Sequence, residues 1–419
     1  MKVILKSCLN SMEWKETHLG IISESIQTGP FGSQLHQYDY SEKGTPVIMP
    51  KDMIGASLIE DTIARISDNH VQRLKKHKVK KGDIIYSRRG DVGRCVLISS
   101  REEGWICGTG CLKVTLDTKK VVPSFIFYIL QRKESVEWVE NHAVGATMPN
   151  LNTGILSNLP LTIPSLSTQE KIVSILSNYD TLIDINAKRI KLLEESAREL
   201  YKEWFVRMRF PGYEQTKFVK GIPEGWKIKL IDDICQSVGG GTPSTSNDNY
   251  WGGNIKWVTP TDITSKQSLP LMRIEGRITE AGLKNSSAKM LPPGAILMTS
   301  RASIGFFGIC KEPVCTNQGF ISIIPNESYY RMYMVHNLMM RKEEIVSNAN
   351  GATFLEISKG RFRKMEMLLP NVDILSKFEE RSSTLFEAVY NIELQNQNLT
   401  ATRDRLLPRL LSGELKVRA

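Results

Sequence analysis

Two long stretches of the chain place apolar side chains at alternating steps of three and four residues. The first runs from Thr168 to Phe205 without a proline or glycine, and the second runs from about Asp373 to Leu407. This spacing predicts an α-helix with one apolar stripe, and a stripe sustained for roughly five heptads predicts a coiled-coil-like seam. At about 1.5 Å per residue, the first helix is expected to be on the order of 55 Å long.

The apolar stripes of the two predicted helices are in phase. A shift of 206 residues places Leu399 on Leu193 and Leu406 on Leu200. Two helices with matching seams are expected to pack side by side, and we predict an antiparallel pair. The residues predicted to form the seam or to bind partner proteins are Ile172, Leu182, Leu193, Leu200, Leu385, Val389, Leu399 and Leu406.

The segments that precede the two helices have a different pattern. Short runs of β-branched and aliphatic residues, such as Asp83-Ile-Ile-Tyr86 and Phe320-Ile-Ser-Ile-Ile324, are separated by Gly, Asn and Pro. Runs of this length bounded by turn residues predict β-strands. Helical stretches are expected near residues 124–140 and 328–347. The predicted fold class is therefore α+β, with a mainly β centre in each globular segment.

The two globular segments have the pattern of one domain that occurs twice. Short motifs recur in the same order at offsets of 206 to 212 residues. Small drift between fixed anchors indicates one fold with loop insertions. The predicted domains are residues 1–167 and 209–372, each followed by a helical segment, 168–208 and 373–419. The anchors are Trp14-Lys15 with Trp226-Lys227, Pro50-Lys-Asp52 with Pro260-Thr-Asp262, residues 81–93 with 293–305, Cys107 with Cys315, and Gly145-Ala-Thr147 with Gly351-Ala-Thr353.

The composition is that of a folded chain with an uneven distribution of charge. Hydrophobic residues make up 41% and charged residues 24%, and the net charge is +10. Residues 1–167 carry an excess of four basic side chains and residues 204–372 an excess of seven, whereas the helical segments are close to neutral. Basic domains favour phosphate contact, and balanced helices favour packing against protein. Because the sequence has no signal-peptide pattern and no apolar run approaching 18 residues, it predicts a cytoplasmic chain without a membrane span or disulfide framework.

Polar residues at matching turns are the candidates for contact with DNA. Arg88, Arg89 and Arg301 lie between a predicted strand and a glycine turn. An arginine fork at such a turn can bind guanine or phosphate, and Asn and Gln side chains can bind adenine. The turn at residues 108–110 is expected to match the turn at 316–318. The predicted DNA-binding residues are Lys51, Asp52, Arg88, Arg89, Thr109, Thr147, Thr261, Asp262, Arg301, Asn317, Gln318 and Thr353.

Several of these candidates also have a structural interpretation. Asp52 and Asp262 are as well suited to cap a helix as to accept a hydrogen bond from cytosine. The Gly-rich loops at residues 29–34 and 239–243 can form tight turns or bring the backbone close to a phosphate. The basic runs at residues 73–81 and 359–364 are typical of solvated faces as well as of DNA contact.

No catalytic or metal-binding motif is found in the sequence. It has no Gly-x-x-x-x-Gly-Lys-Ser/Thr loop for ATP and no Gly-x-Ser-x-Gly elbow. An amino-methyltransferase needs an Asn/Asp-Pro-Pro-aromatic loop, but the Pro-Pro pair here lies in Leu291-Pro-Pro-Gly294. Cys107 and Cys111 have no second ligand pair at zinc spacing. The chain is therefore predicted to bind no metal or cofactor and to be non-catalytic.

Longer motifs resemble those of the specificity subunits of type I restriction-modification systems, and the resemblance covers essentially the full chain. The first copy departs from it at Ser11-Met-Glu-Trp14, which lacks the Pro-x-Gly-Trp form. The matching motifs are Ile222-Pro-Glu-Gly-Trp226, Gly145-Ala-Thr-Met-Pro-Asn-Leu151 with Gln169-Glu-Lys-Ile172, and Arg405-Leu-Leu-Pro-Arg-Leu-Leu-Ser-Gly-Glu-Leu415.

The resemblance implies a division of labour between this chain and its partners. Each globular copy is expected to be a target-recognition domain for one half of a bipartite, asymmetric sequence in double-stranded DNA. The helices are expected to set the spacing and to dock two methyltransferase subunits, which would carry S-adenosylmethionine. Restriction motor-nuclease subunits would add cleavage that depends on ATP and Mg. Two other classes remain open: a self-contained DNA methyltransferase or nuclease, and an assembly scaffold that binds no DNA.

Overall fold

The chain folds into two compact units that share both long helices. The computed structural model describes residues 14–32, 34–60, 63–145, 149–265, 268–351 and 355–417. One unit combines the residues up to Thr181 with those from Thr400 onward, and the other is Leu182–Leu399. The helical segments predicted at 168–208 and 373–419 are thus divided between the units.

The first unit is built mainly from short strands. Its helices are α1 Asp68–Arg73, α2 Pro123–Leu130, α3 Lys133–His142, α4 Thr153–Ser157 and the first part of α5 Leu166–Tyr201. Its strands are β1 Lys15–His18, β2 Ser23–Thr28, β3 Tyr40–Ser41, β4 Thr45–Ile48, β5 Met53–Ile54, β6 Ser57–Leu58, β7 Arg65–Ile66, β8 Ile84–Ser87, β9 Cys95–Leu97, β10 Ile106–Cys107, β11 Cys111–Leu116 and β12 Pro160–Ile163.

The second unit contains a comparable set of elements. Its helices are α6 Ile231–Ile234, α7 Pro260–Thr264, α8 Glu280–Lys284, α9 Arg331–Met340, α10 Lys342–Ser347, α11 Lys359–Arg363 and most of α12 Val372–Leu411. Its strands are β13 Phe218–Val219, β14 Ile222–Pro223, β15 Lys227–Leu230, β16 Cys235–Gly239, β17 Trp251–Val258, β18 Arg277–Ile278, β19 Ile296–Thr299, β20 Phe307–Ile309, β21 Cys315–Thr316, β22 Phe320–Pro325 and β23 Glu366–Leu369.

Corresponding strands form the same sheets in both units. The antiparallel sheet β2-β11-β8-β9 corresponds to β16-β22-β19-β20. A second sheet contains the parallel pair β10 and β4, which corresponds to β21 and β17. The central strands β8 and β19 are buried along their whole length, which accounts for their continuous apolar sequences. The predicted α+β fold with two copies of one domain is confirmed.

Each unit takes part of its hydrophobic core from both long helices. In the first unit, Ile172 of α5 and Leu410 of α12 join the core beneath the antiparallel sheet. In the second unit, Phe378 of α12 lies edge-on to Phe205, with ring centroids 4.9 Å apart. Phe205 belongs to a π-helical turn, Lys202–Val206, that directly follows α5. The ends of the helices are therefore fixed by packing within the domains.

The two long helices run antiparallel in both units, as predicted. In the second unit, Ile190 of α5 packs with Val389 and Ile392 of α12. In the first unit, Arg403 of α12 forms a salt bridge with Asp180 of α5, with an N···O distance of 2.7 Å. Asn186 of α5 pairs with Gln395 and Asn396 in the second unit, and Ile172 shares a core with Leu410 in the first. Within each unit, a higher residue number on α5 is thus matched by a lower number on α12, which is the signature of antiparallel packing.

Most of the predicted seam residues are buried or half-buried, but Leu182 is not. Its side chain is 45% exposed, so it does not lie in the seam, and its alternative role in binding a partner stays a prediction. The inward stripe of α5 passes through Asn186, which is 3% exposed, to Ile190. The prediction followed only apolar residues along the helix and therefore did not include this asparagine. The other predicted seam residues are Ile172 and Val389, which are buried, and Leu193, Leu200, Leu385, Leu399 and Leu406, which are half-buried.

Candidate nucleic-acid interface

The predicted arginines lie in equivalent hairpins of the two domains. In the first domain, Arg89 and the next two residues are exposed at the turn between β8 and β9. In the second domain, Arg301 and the next two residues are exposed at the turn between β19 and β20. The backbone at the tip is left-handed in both, with φ +74° at Gly90 and +59° at Ala302. Arg89 is thus the residue equivalent to Arg301, and Arg88 is equivalent to Ser300.

The tip of each hairpin is fixed by the same backbone hydrogen bonds. The Leu151 N–H donates to the carbonyl of Arg88 at 2.9 Å, and the Ile357 N–H donates to that of Ser300 at 3.0 Å. On the other side of the tip, the Gly90 N–H donates to the carbonyl of Pro149 and the Ala302 N–H donates to that of Leu355. The residues that form these hydrogen bonds with the hairpin follow the repeated Gly-Ala-Thr motif in both domains. The segments after that motif, residues 149–151 and 355–357, therefore support the arginine hairpins.

The side chain after the Gly-Ala-Thr motif also contacts the hairpin. The Nε of Arg88 donates to Oδ1 of Asn150 at 3.2 Å. The guanidinium of Arg88 lies over the ring of Phe31, 5.7 Å from its centroid. In the second domain, Glu356 is the residue equivalent to Asn150, and its Oε2 lies 3.9 Å from Nε of Arg301. Arg88 is held by a neutral amide and a ring, whereas Arg301 lies beside a carboxylate.

Sequence reasoning missed Phe31, Asn150 and Glu356. A signal for the last two was present, because they occupy the same place after the repeated motif at the offset of 206 residues. Phe31 gave no comparable signal, since the second Gly-rich loop, residues 239–243, has no aromatic residue.

The Gly-rich loops pack against the neighbouring turns. A Cβ added to Gly29 would lie 1.9 Å from the carbonyl oxygen of Gly108, and one added to Gly240 would lie 2.1 Å from that of Asn317. The structural interpretation therefore holds at these two positions, because glycine is required by the contact between two backbones. The hydroxyl of Thr109 donates to the carbonyl of Pro30 at 3.0 Å, which ties the same loop to the same turn.

The alignment of these turns differs by one residue from the prediction. In the parallel sheets, Ile106 is paired with Val47 and Cys315 with Trp257, so Cys315 is equivalent to Ile106 rather than to Cys107. The correct match places Thr109 on Gln318. The two buried cysteines were a misleading anchor because they stand one position apart in the equivalent strands.

The turns are completed by the loops that follow β4 and β17. The Met49 N–H donates to Oδ2 of Asp52 at 2.8 Å, and the Thr259 N–H donates to Oδ2 of Asp262 at 2.7 Å. Asp52 is 1% exposed, and burial raises the pKa of its carboxyl. These contacts correspond to the capping interpretation of both aspartates, and the burial of Asp52 removes it from the candidate DNA surface.

The remaining candidates differ in exposure. Thr109 and Asn317 are half-buried, and Oδ1 of Asn317 accepts from the Gly319 N–H at 2.9 Å. Thr147 and Thr353 lie outside the described residues. The exposed candidates are Lys51, Arg89, Thr261, Arg301 and Gln318, with Arg88 half-buried. These side chains come from loops that contact one another within each domain. Gly110 packs on Pro50 and Gly319 packs on Pro260, and these prolines begin the loops that follow β4 and β17.

Metal clusters and membrane-spanning helices are both absent from the described residues. Among the described residues, no group of three or more His, Cys, Asp or Glu side chains is arranged to hold a metal ion. Within the same residues, no helix is both long and apolar enough to cross a membrane.

Comparison with known proteins identifies the duplicated domain. A family model of the type I restriction modification DNA specificity domain matches residues 12–195 and 223–400, one match for each copy. The chain belongs to this type I restriction-modification DNA specificity family. As a specificity subunit, it contains two target-recognition domains, in agreement with the resemblance noted from its motifs.

Individual relatives agree with this assignment. The specificity subunit is 25% identical to the HindI type I specificity subunit of Haemophilus influenzae, over 96% of this chain and all of that one. It is 37% identical to the MjaIX specificity subunit of Methanocaldococcus jannaschii over 47% of this chain and 46% of that one. The solved structure of an S subunit from M. genitalium shares the fold, with a TM-score of 0.61 at 15% identity, over 96% of this chain and 97% of that one.

Proposed function

We propose that this specificity subunit recognises a bipartite, asymmetric sequence in double-stranded DNA, one half with each domain. The observation that carries the proposal is the arginine hairpin, which is fixed by the same backbone hydrogen bonds in both domains. The scaffold is conserved between the copies while the exposed side chains differ. Two domains with one scaffold and different side chains suit two different half-sites.

The exposed cations of the hairpins are proposed to contact the DNA. An arginine in this position can donate two hydrogen bonds to guanine or to a phosphate. Replacing Arg88, Arg89 or Arg301 with Ala is expected to weaken binding to the cognate duplex by about 1–3 kcal/mol. The control is Lys133→Ala, which removes an exposed cation on α3, outside the hairpins. Unchanged affinity in all three arginine variants would contradict the assignment.

The long helices are proposed to set the distance between half-sites and to dock methyltransferase subunits. Leu182, Ile185 and Leu192 form an exposed apolar stripe on α5, with exposed fractions of 45%, 46% and 61%. Exposed apolar side chains on one helix face are typical of a protein interface. The residues 206 positions later are Ala388, Asn391 and Asn398, so α12 does not repeat this stripe. The stripe therefore accounts for one of two docking places.

This docking surface is open to a direct test. The double variant Ile185→Lys, Leu192→Lys is expected to lose co-elution with the methyltransferase subunit in gel filtration, because two charges would be buried at the contact. Ala187→Lys, an exposed position on the opposite face of the same helix, is the matched control. Retention of the complex by the double variant would show that the subunit docks elsewhere.

The chemistry is proposed to belong to the partners. S-adenosylmethionine would be bound by the methyltransferase subunits, and ATP and Mg by the restriction motor-nuclease subunits. Mapping methylated adenines in the genome of a host that expresses the complex tests the whole proposal. A bipartite motif that disappears without this chain is expected, whereas methyl transfer by the purified chain alone would favour a self-contained enzyme.

A further inference from the structure

The side chain of Arg88 is held from two sides, by an aromatic ring and by an amide. Its guanidinium lies over the ring of Phe31, and its Nε is bound to the amide oxygen of Asn150. A cation within about 6 Å of a ring centroid is attracted by the ring face. In the part of the chain that the structure describes, neither terminal nitrogen of Arg88 has a hydrogen-bond partner. The side chain is thus oriented while its two outer donors stay available.

Two parallel N–H donors match a particular base edge. Guanine presents O6 and N7 side by side in the major groove, and an arginine fork can bind both at once. A fork that is already oriented loses less conformational freedom on binding than a free side chain. Phe31 is 55% exposed, so its ring flanks the fork at the surface and is also placed to contact DNA.

We propose that Arg88 recognises a guanine in the half-site of the first domain, and that Phe31 and Asn150 are the residues that position it. This inference rests on the proposed function, because it assumes that the first domain binds DNA through its hairpin. It adds a base identity and two positioning residues to that function.

The second domain lacks this arrangement. Ser300, which is 2% exposed, stands at the position of Arg88, and Glu356 stands at the position of Asn150. No aromatic residue occurs in the second Gly-rich loop, residues 239–243. The arginine held by a ring and an amide is therefore confined to the first domain, and the variants of that domain are expected to leave recognition by the second domain unchanged.

The experiment is methylation mapping in a host that expresses the complex with wild-type or variant subunit. The wild-type motif is expected to contain a guanine in the half-site assigned to the first domain. Arg88→Ala is expected to reduce discrimination between guanine and adenine at that single position by roughly 10- to 100-fold. Phe31→Leu and Asn150→Ala are expected to reduce it several-fold, whereas Phe31→Tyr, which keeps the ring face, retains it. Binding to the mapped duplex and to its guanine-to-adenine derivative gives the same comparison in vitro.

Two controls separate positioning from general damage. Tyr38→Leu removes another aromatic side chain of the first domain that is 81% exposed, and it is expected to leave the motif unchanged. The second half-site serves as an internal control, since a misfolded or unassembled variant loses both halves together. If Arg88→Ala is such a variant, the binding comparison is made with Arg88→Lys, which keeps the charge but not the planar fork and is expected to lose the discrimination as well.

The possible results distinguish this inference from the proposed function. A wild-type complex that methylates no bipartite motif would remove the proposed function itself. A bipartite motif without a guanine in the first half-site, or a guanine preference that survives Arg88→Ala, would overturn the assignment of Arg88. A preference that survives both Phe31→Leu and Asn150→Ala would overturn their positioning role.

Discussion

The contact between Gly29 and the turn at Gly108 is the most direct point at which to perturb the candidate surface. A Cβ at residue 29 would lie 1.9 Å from a backbone oxygen, whereas real Cβ contacts stay above about 3.0 Å, so the backbones must separate by just over 1 Å. Neither atom belongs to a flexible side chain that can rotate away. Gly29 is not in the left-handed region, so the effect of Gly29→Ala is steric and owes nothing to backbone preference.

The cost of this substitution follows from the hydrogen bonds at the contact. The Gly29 N–H donates to the carbonyl of Cys111 at 2.9 Å, and Thr109 donates to Pro30 at 3.0 Å. Loss of both at about 1 kcal/mol each, together with residual strain, gives a destabilisation of roughly 2–3 kcal/mol. The displaced loop carries Phe31, so recognition of the first half-site is expected to weaken as well.

Urea unfolding of the purified subunit measures the stability change. Gly32→Ala is the matched control, because it lies in the same loop and a Cβ there meets nothing within 4 Å. This control is expected to be neutral or slightly stabilising. Gly240→Ala should reproduce the loss in the second domain. Equal unfolding midpoints for Gly29→Ala and Gly32→Ala would refute the argument that a backbone contact fixes the loop.

Three further predictions concern other parts of the molecule. Burial lowers the pKa of His336 to about 4. As the pH falls from about 6.5 towards 4, the histidine is protonated in the unfolded chain before it is protonated in the folded one, so the folded state loses stability. The unfolding free energy should fall by up to about 1.4 kcal/mol per pH unit more in wild type than in His336→Gln, as measured by urea titrations at pH 7, 5.5 and 4.5. Asn186→Ala should cost about 1–2 kcal/mol in urea unfolding, because Gln395 and Asn396 lose their donor, while the exposed Asn178→Ala should cost almost nothing. Ala302→Gly should raise the melting temperature slightly and Gly90→Ala should lower it, because only the first change relieves a left-handed non-glycine residue.

The sequence predicted the features that repeat and missed those that depend on contacts between distant residues. Periodicity gave both helices and their antiparallel pairing, because the apolar stripe is a local property of each segment. It failed at Leu182, because the inward position one turn later is the polar Asn186, which is satisfied only by residues of α12. No local pattern reports a hydrogen bond formed across more than 200 residues.

In the candidate surface too, the sequence predicted the repeated features and missed the contacts between distant residues. The arginines of the hairpins were found from their matching turns, but the contacts of Arg88 with Phe31 and Asn150 join residues about 60 positions apart. The sequence allowed Asp52 and Asp262 either to cap a helix or to contact a base, and the burial of Asp52 excludes base contact for that residue. Residue type and turn position locate a surface, and packing determines which of its side chains face outward.

The discontinuity of the first unit has a consequence for biosynthesis. Leu410 and Leu411 are 1% and 2% exposed in its core, yet the ribosome adds them after the entire second unit. The nascent first domain therefore leaves an apolar surface open while more than 200 further residues are translated, and the second domain completes its own packing sooner. Folding of the first domain can therefore be completed only after the whole segment that forms the second domain has been synthesised.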